Sequence, residues 1–128
     1  MSVYRTIDVD LGGVREAEIV VQRSRFLAQA CRVEREPAAR DFIASVRAHH
    51  HDARHHCTAF VLGADRNLRR SIDDGEPSGT AGKPILDAIS GRDLSDVVVV
   101  VTRWFGGTLL GAGGLTRAYG NATATVLE

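Results

Sequence analysis

Ala39, Phe42, Ile43 and Val46 fall at positions i, i+3, i+4 and i+7, which puts four apolar side chains on one face of a helix. The spacing predicts a helix over residues 37–50. Pro37 suits its start, because proline lacks the N–H that would go unpaired there. The same period returns at Ile85, Leu86 and Ile89, with Gly91 where a helix C-terminal cap would stand. It returns again at Leu115, Ala118, Tyr119, Ala122 and Val126, which predicts a last helix starting near Leu115. Between these lie shorter apolar runs. Residues 3–9 read as a first strand, with Ile7 and Val9 on one face and Gly12-Gly13 as the turn after it. Residues 19–21 and 26–33 read as two strands, or as one long strand bent near Arg23-Ser24. Residues 57–62 and 69–72 read as two more, joined by a polar turn over 64–68. Residues 97–101 are five consecutive valines. β-branched side chains favour strands, and a run without alternation predicts burial on both faces.

Three helices and about five strands predict an α/β (α+β) two-layer sandwich, with a mixed sheet of four to six strands and the helices on one face. The chain of 128 residues is one domain in size and can bury a core without metal or disulfide support. Formal net charge is zero, which argues against strong non-specific nucleic-acid binding while leaving room for a local basic face. Cys31 and Cys57 form no CxxC pair and are expected to be buried thiols of a cytoplasmic protein. The valine run is too short to cross a bilayer, and residues 1–10 do not read as a secretory signal.

Two glycine-rich stretches attract attention. Residues 73–84 read Asp-Asp-Gly-Glu-Pro-Ser-Gly-Thr-Ala-Gly-Lys-Pro and lead into the second helix. Gly75, Gly79 and Gly82 permit a tight course there. Thr80 or Ser78 could cap the helix through its hydroxyl. Asp74 and Glu76 could form an acid/base pair or a Mg²⁺ site, although two acids in a loop are ordinarily solvated. The plain alternative is a strand-to-helix turn with a cap. The second stretch holds Gly106, Gly107, Gly111, Gly113 and Gly114 within nine residues, after a buried strand and before a helix. It lacks the Gly-Lys-Ser/Thr ending of a Walker A loop, and its glycines have the wrong spacing for a dinucleotide fingerprint. An NTPase or dehydrogenase is therefore not indicated. Arg103 and Arg117 flank the stretch and could grip a phosphate or carboxylate. Trp104 and Phe105 could stack on a base or fill a partner's pocket, or one of them could be core. All five histidines crowd between His49 and His56. A zinc site needs about four ligands, and no second Cys/His cluster completes one. No catalytic, cofactor or metal residue is assigned.

Arg23-Ser24-Arg25-Phe26, the run from Asp74 through Gly82 with Pro84-Ile85-Leu86, and Val99–Phe105 followed by Gly106-Gly107 and Leu110–Tyr119 together resemble the IMPACT/YigZ (UPF0029) family over about residues 14–119. Ala53-Arg54-His55 resembles the family's Ala-x-His step and singles out His55. Position 104 carries Trp where the family has Tyr or Phe, which weakens any reaction requiring a hydroxyl there. The resemblance implies a fold like domain 2 of ribosomal protein S5 and a link to translation. It also implies that a second, ferredoxin-like domain, found in YigZ-type members, is absent from this chain. The resulting expectation is a non-enzymatic binding module whose partner is a translation-associated protein or ribosomal component. Its site would draw on Arg25, His55, Asp74, Gly75, Glu76, Gly79, Thr80, Gly82, Arg103, Trp104, Phe105, Arg117 and Tyr119 with the five glycines of the second stretch. Direct RNA or single-stranded DNA binding, and an enzyme acting on a phosphorylated substrate, are the alternatives.

Overall fold

The computed structural model describes residues 4–128. In chain order the elements are β1 (Val14–Val21), β2 (Ser24–Arg32), α1 (Glu36–His49), β3 (His55–Leu62), β4 (Leu68–Ile72), α2 (Gly82–Ser90), β5 (Val97–Trp104) and α3 (Gly111–Leu127). The strands form one five-stranded sheet in the order β1-β2-β5-β3-β4. The class and strand number are those expected. Every pairing is antiparallel, however, where a mixed sheet was anticipated.

The valine run explains a second difference. β5 is the central strand, and all five of its valines are fully buried. Val97, Val99 and Val101 join a core with Ile85, Ile89, Leu115 and Tyr119 from α2 and α3. Val98 and Val100 join a separate core with Ala39, Ile43 and Val46 of α1. The helices therefore cover both faces of the sheet, not one, because a central strand apolar on both sides needs cover on both. Each buried valine contributes roughly 1.5–3 kcal/mol relative to exposure.

Several local features also differ. Of the strand expected over residues 3–9, Val3 lies outside the described residues, and the rest makes only an isolated bridge, Arg5 to Leu94. It is a strap: Ile7 is buried, and the Tyr4 hydroxyl donates to Asp96. β1 and β2 form a hairpin, not one bent strand. Gln22 and Arg23 both have positive φ (46° and 72°), the geometry of a two-residue turn matched to strand twist. α3 starts at Gly111, four residues before Leu115, so Gly113 and Gly114 are helical; tertiary packing overrides glycine's low helix propensity of about 1 kcal/mol. Gly91 is the C-cap of α2 as expected, with right-handed φ (−64°) and its amide donating to the Asp87 carbonyl.

Candidate functional site

Site construction begins at Asp73. Its Oδ1 accepts from the amides of Ala81 (3.2 Å) and Gly82 (2.8 Å), and its Oδ2 from Gly79 (2.9 Å). This carboxylate closes the loop and serves the start of α2. The expected hydroxyl cap is absent: Thr80 Oγ1 donates instead to the Pro77 carbonyl, and the N-cap residue, Ala81, has no side-chain acceptor of its own. Asp73 outcompetes the nearer hydroxyls because one carboxylate accepts three amides at once. Partial burial raises its pKa, but the amides of Gly79, Gly82 and Ala81 outweigh that and hold it below the usual carboxylate range. Asp74 is likewise held low: burial opposes, while the Arg47 guanidinium and the His56 amide prevail. Asp74 and Gly75 both take positive φ (47° and 87°). A Cβ on Gly75 would stand 3.3 Å from His55 Nδ1.

That turn sends Glu76 inward. Its carboxylate meets Arg103 Nη1 at 3.1 and 2.9 Å, accepts a hydrogen bond from the Tyr119 hydroxyl, and lies 3.4 Å from His55 Nε2. Arg103 has only 4% of its surface exposed and Glu76 8%. The rest of the guanidinium is near the Ser24 hydroxyl, with Nε at 3.4 Å and Nη2 at 3.3 Å. Ser24 Oγ also accepts from the Gly106 amide. Removing two charges from water costs several kcal/mol each, so such a pair persists only when its bonding is nearly complete. His55 Nδ1 lies 2.8 Å from the Asp74 carbonyl, so this nitrogen carries a hydrogen. A second proton, on Nε2, would make an ion pair with Glu76. Burial first, then Cys57 and Glu76, push the Tyr119 hydroxyl pKa up. Burial does the same to Cys57, whose Sγ donates to the Asp73 carbonyl. Both groups stay protonated, and a buried thiol of this kind is a poor nucleophile.

The second glycine-rich stretch forms the facing wall. Gly106 passes so close to the β1–β2 turn that a Cβ would lie 2.2 Å from Arg23 C. Gly107 and Gly111 have positive φ (90° and 75°) and open space around them. Between the loops is a cavity of about 310 Å³, lined by His55, Glu76, Pro77, Phe105, Leu109 and Leu115 among others, with Arg54 also in its lining. Leu109 is 85% exposed. The Arg54 guanidinium stacks 4.7 Å over the Phe105 ring, while Arg103 lies 5.5 Å from the same ring. A larger groove of about 570 Å³ lies between Leu11-Gly12 and the start of α1, and contains none of the candidate residues.

The two stretches thus meet, but not all candidates gather there. His55, Glu76, Arg103, Phe105 and Gly111 line the cavity, and Tyr119 lies beneath it. Arg103 does not serve as a free anion donor, because Glu76 and Ser24 occupy it. Arg117 is exposed on α3 outside the lining, and a Cβ on Gly113 would meet its guanidinium. Trp104 alternates with Arg103 along β5 and sits between Arg25 (4.6 Å, itself paired with Glu18) and His50. Gly79, Thr80 and Gly82 shape the first loop, and Gly114 lies within α3. Asp74 pairs with Arg47 of α1. Sequence reasoning missed Asp73, Ser24 and Arg54 as site builders. Ser24 stands within the Arg-Ser-Arg-Phe motif, and Asp73 precedes the acidic pair, but only long-range contacts reveal their roles. Among the described residues no group of three or more His, Cys, Asp or Glu is placed to hold a metal ion. No described helix is long and apolar enough to cross a membrane.

The family model described as the Impact N-terminal domain matches residues 22–127. The IMPACT family member YvyE of Bacillus subtilis is 48% identical over 113 residues, covering 88% of this chain and 52% of that protein. The IMPACT family member YigZ of Escherichia coli is 46% identical over 110 residues, covering 84% and 54%. The chain therefore spans about half the length of these relatives. Among solved structures, one described as a hypothetical protein superposes with TM-score 0.92 at 40% identity, over 99% of this chain and 61% of that one. The two-domain translational regulator Yih1 superposes with TM-score 0.57 at 27% identity, over 91% and 47%.

Proposed function

The chain belongs to the Impact N-terminal domain family, and from that premise we propose that it is a non-enzymatic binding module in the control of translation, engaging its partner through the cavity between the glycine-rich loops. The similarity to a structure described as a translational regulator supports the process. One observation carries the mode of action: the charged floor of the cavity is occupied by itself, with Glu76 on Arg103, while Leu109 at the wall is left in water. A catalytic acid or a phosphate-binding arginine must be free to meet substrate. An exposed leucine beside a cavity suits the burial of a partner's apolar side chain. The partner class is a translation-associated protein or ribosomal component.

The test is sedimentation of tagged protein in cell extract through a sucrose gradient, beside the variant Leu109→Ser. The wild-type protein should travel with ribosomal particles or a translation factor, and the variant should bind at least about fivefold more weakly. Wild-type protein that stays at the top of the gradient and retains no translation component overturns the reading. Retention of RNA alone, lost steeply with added salt, would favour direct nucleic-acid binding instead.

A further inference from the structure

The charges around the cavity are unequal, and the inequality specifies what should enter. Arg103 is neutralised by Glu76 and Asp74 is engaged by Arg47. Arg54 also lines the cavity, is exposed, and forms no ion pair among the described residues. Its guanidinium is already stacked on Phe105 at 4.7 Å, so much of the entropy cost of ordering a long side chain is met before any ligand arrives. Pro77, Phe105, Leu109, Leu110 and Leu115 supply apolar walls. Arg54 therefore adds an accessible guanidinium to an otherwise apolar cleft.

Resting on the proposal that this cavity is the binding site, we propose that its ligand is an internal segment of a partner protein carrying a leucine-sized apolar residue beside an Asp or Glu. The apolar side chain enters between Phe105 and Leu109, and the carboxylate meets Arg54. Charge complementarity selects this occupant. A neutral apolar segment would leave Arg54 without a counter-ion, and a carboxylate placed deeper would face Glu76. The charge is a single guanidinium on an exposed side chain. The uncapped start of α3 at Gly111 and Ala112 also lines the cavity, and backbone amides of that kind are what capture a chain-terminal carboxylate, so a free-carboxyl peptide decides between an internal acid and a chain end. Arg54 is therefore a specificity-determining residue, whereas Arg103 is a positioning residue that holds Glu76 and the floor.

The experiment is an NMR titration of ¹⁵N-labelled protein with three N-acetylated peptides: amidated Ala-Leu-Asp-Ala, amidated Ala-Leu-Asn-Ala, and Ala-Leu with a free carboxyl end. The Asp peptide should shift amides between Phe105 and Leu115 and bind about tenfold more tightly than the Asn peptide at low salt. Arg54→Gln should abolish that difference while the variant's amide spectrum remains that of a folded protein. Arg117→Gln should leave the difference intact. Equal affinity for the Asp and Asn peptides, shifts confined to another face, absence of binding, or preference for the free-carboxyl peptide would each overturn the assignment. If the gradient association persists while the peptides fail, only the ligand chemistry is wrong; if both fail, the binding reading falls as well.

Discussion

Residues 73–82 and 105–111 are both glycine-rich loops beside one cavity, yet they are held in opposite ways. In the first, the Gly79 and Gly82 amides bond to Asp73, Gly75 packs on His55, and Glu76 is drawn into a buried cluster. In the second, the Gly106 amide bonds to Ser24, while Gly107 and Gly111 have nothing within 4 Å of a would-be Cβ and Leu109 projects into water. Residues 105–111 contain no ionisable side chain, whereas residues 73–82 contain Asp73, Asp74 and Glu76. Glycine content does not separate the two. Carboxylates aimed at amides and a guanidinium turn the first loop into a scaffold, and their absence leaves the second as a presenting surface.

The hardest test of that contrast is Glu76→Ala. It leaves Arg103 buried without its counter-charge and removes the Tyr119 acceptor. Breaking one side of a buried pair costs about 3–5 kcal/mol. Urea unfolding should show that loss as a lower midpoint with an unchanged slope. A loss below about 1 kcal/mol would mean that the first loop is not scaffold.

Next in size is Asp73→Asn, which gives up charge-assisted bonds worth about 1.5–3 kcal/mol. The same groups give the loops different responses to acid. Asp73 and Asp74 are both held below their ordinary pKa in the folded protein. Their contribution is full above the unfolded value of about 3.9 and is lost as pH falls through the lower folded values. Hydrogen exchange between pH 7 and 3 should show the amides of Gly79, Ala81 and Gly82 losing protection first, with residues 107–110 unchanged relative to their intrinsic rates. Asp73→Asn should remove part of that acid sensitivity. Equal loosening of both loops would erase the distinction.

The sequence discloses these two loops unevenly, for a physical reason. Periodicity is local, so α1 and the buried β5 could be read from spacing alone. Ile7 and Val9 also alternate, but residues 4–9 have no neighbouring strand beyond one bridge, and alternation does not report a missing partner. The pattern marks only residues 19–21 of β1: its first residues, Val14, Arg15, Glu16, Ala17 and Glu18, belong to the outer strand of the sheet and carry a weak apolar pattern. In the site, the motif residues His55, Glu76, Arg103 and Tyr119 could be picked out, and the meeting of the loops anticipated. What spacing could not disclose was occupancy. Glu76 takes Arg103 across 27 positions of sequence, which leaves Arg54 carrying the accessible charge. Arg103 and Arg117 are the same residue type flanking the same loop, yet one is buried and the other exposed.

The smallest expected effect separates conformation from packing. Gly75 and Gly107 have nearly the same φ, 87° and 90°. Alanine at either position enters a backbone region that costs an L-residue about 1–2 kcal/mol. At Gly107 nothing lies within 4 Å of the added methyl, so Gly107→Ala should cost only that backbone term, about 1 kcal/mol, and leave the floor of the cavity unmoved. At Gly75 the methyl would stand 3.3 Å from His55 Nδ1, so the ring must shift and the cost should be larger. Thermal unfolding of the two variants, with the His55 ring resonances as a local reporter, measures both parts. A scaffold transmits the insult to its neighbours, and a presenting loop absorbs it. Equal costs with an undisturbed His55 in both variants would mean that the loops differ in exposure but not in how firmly they are built.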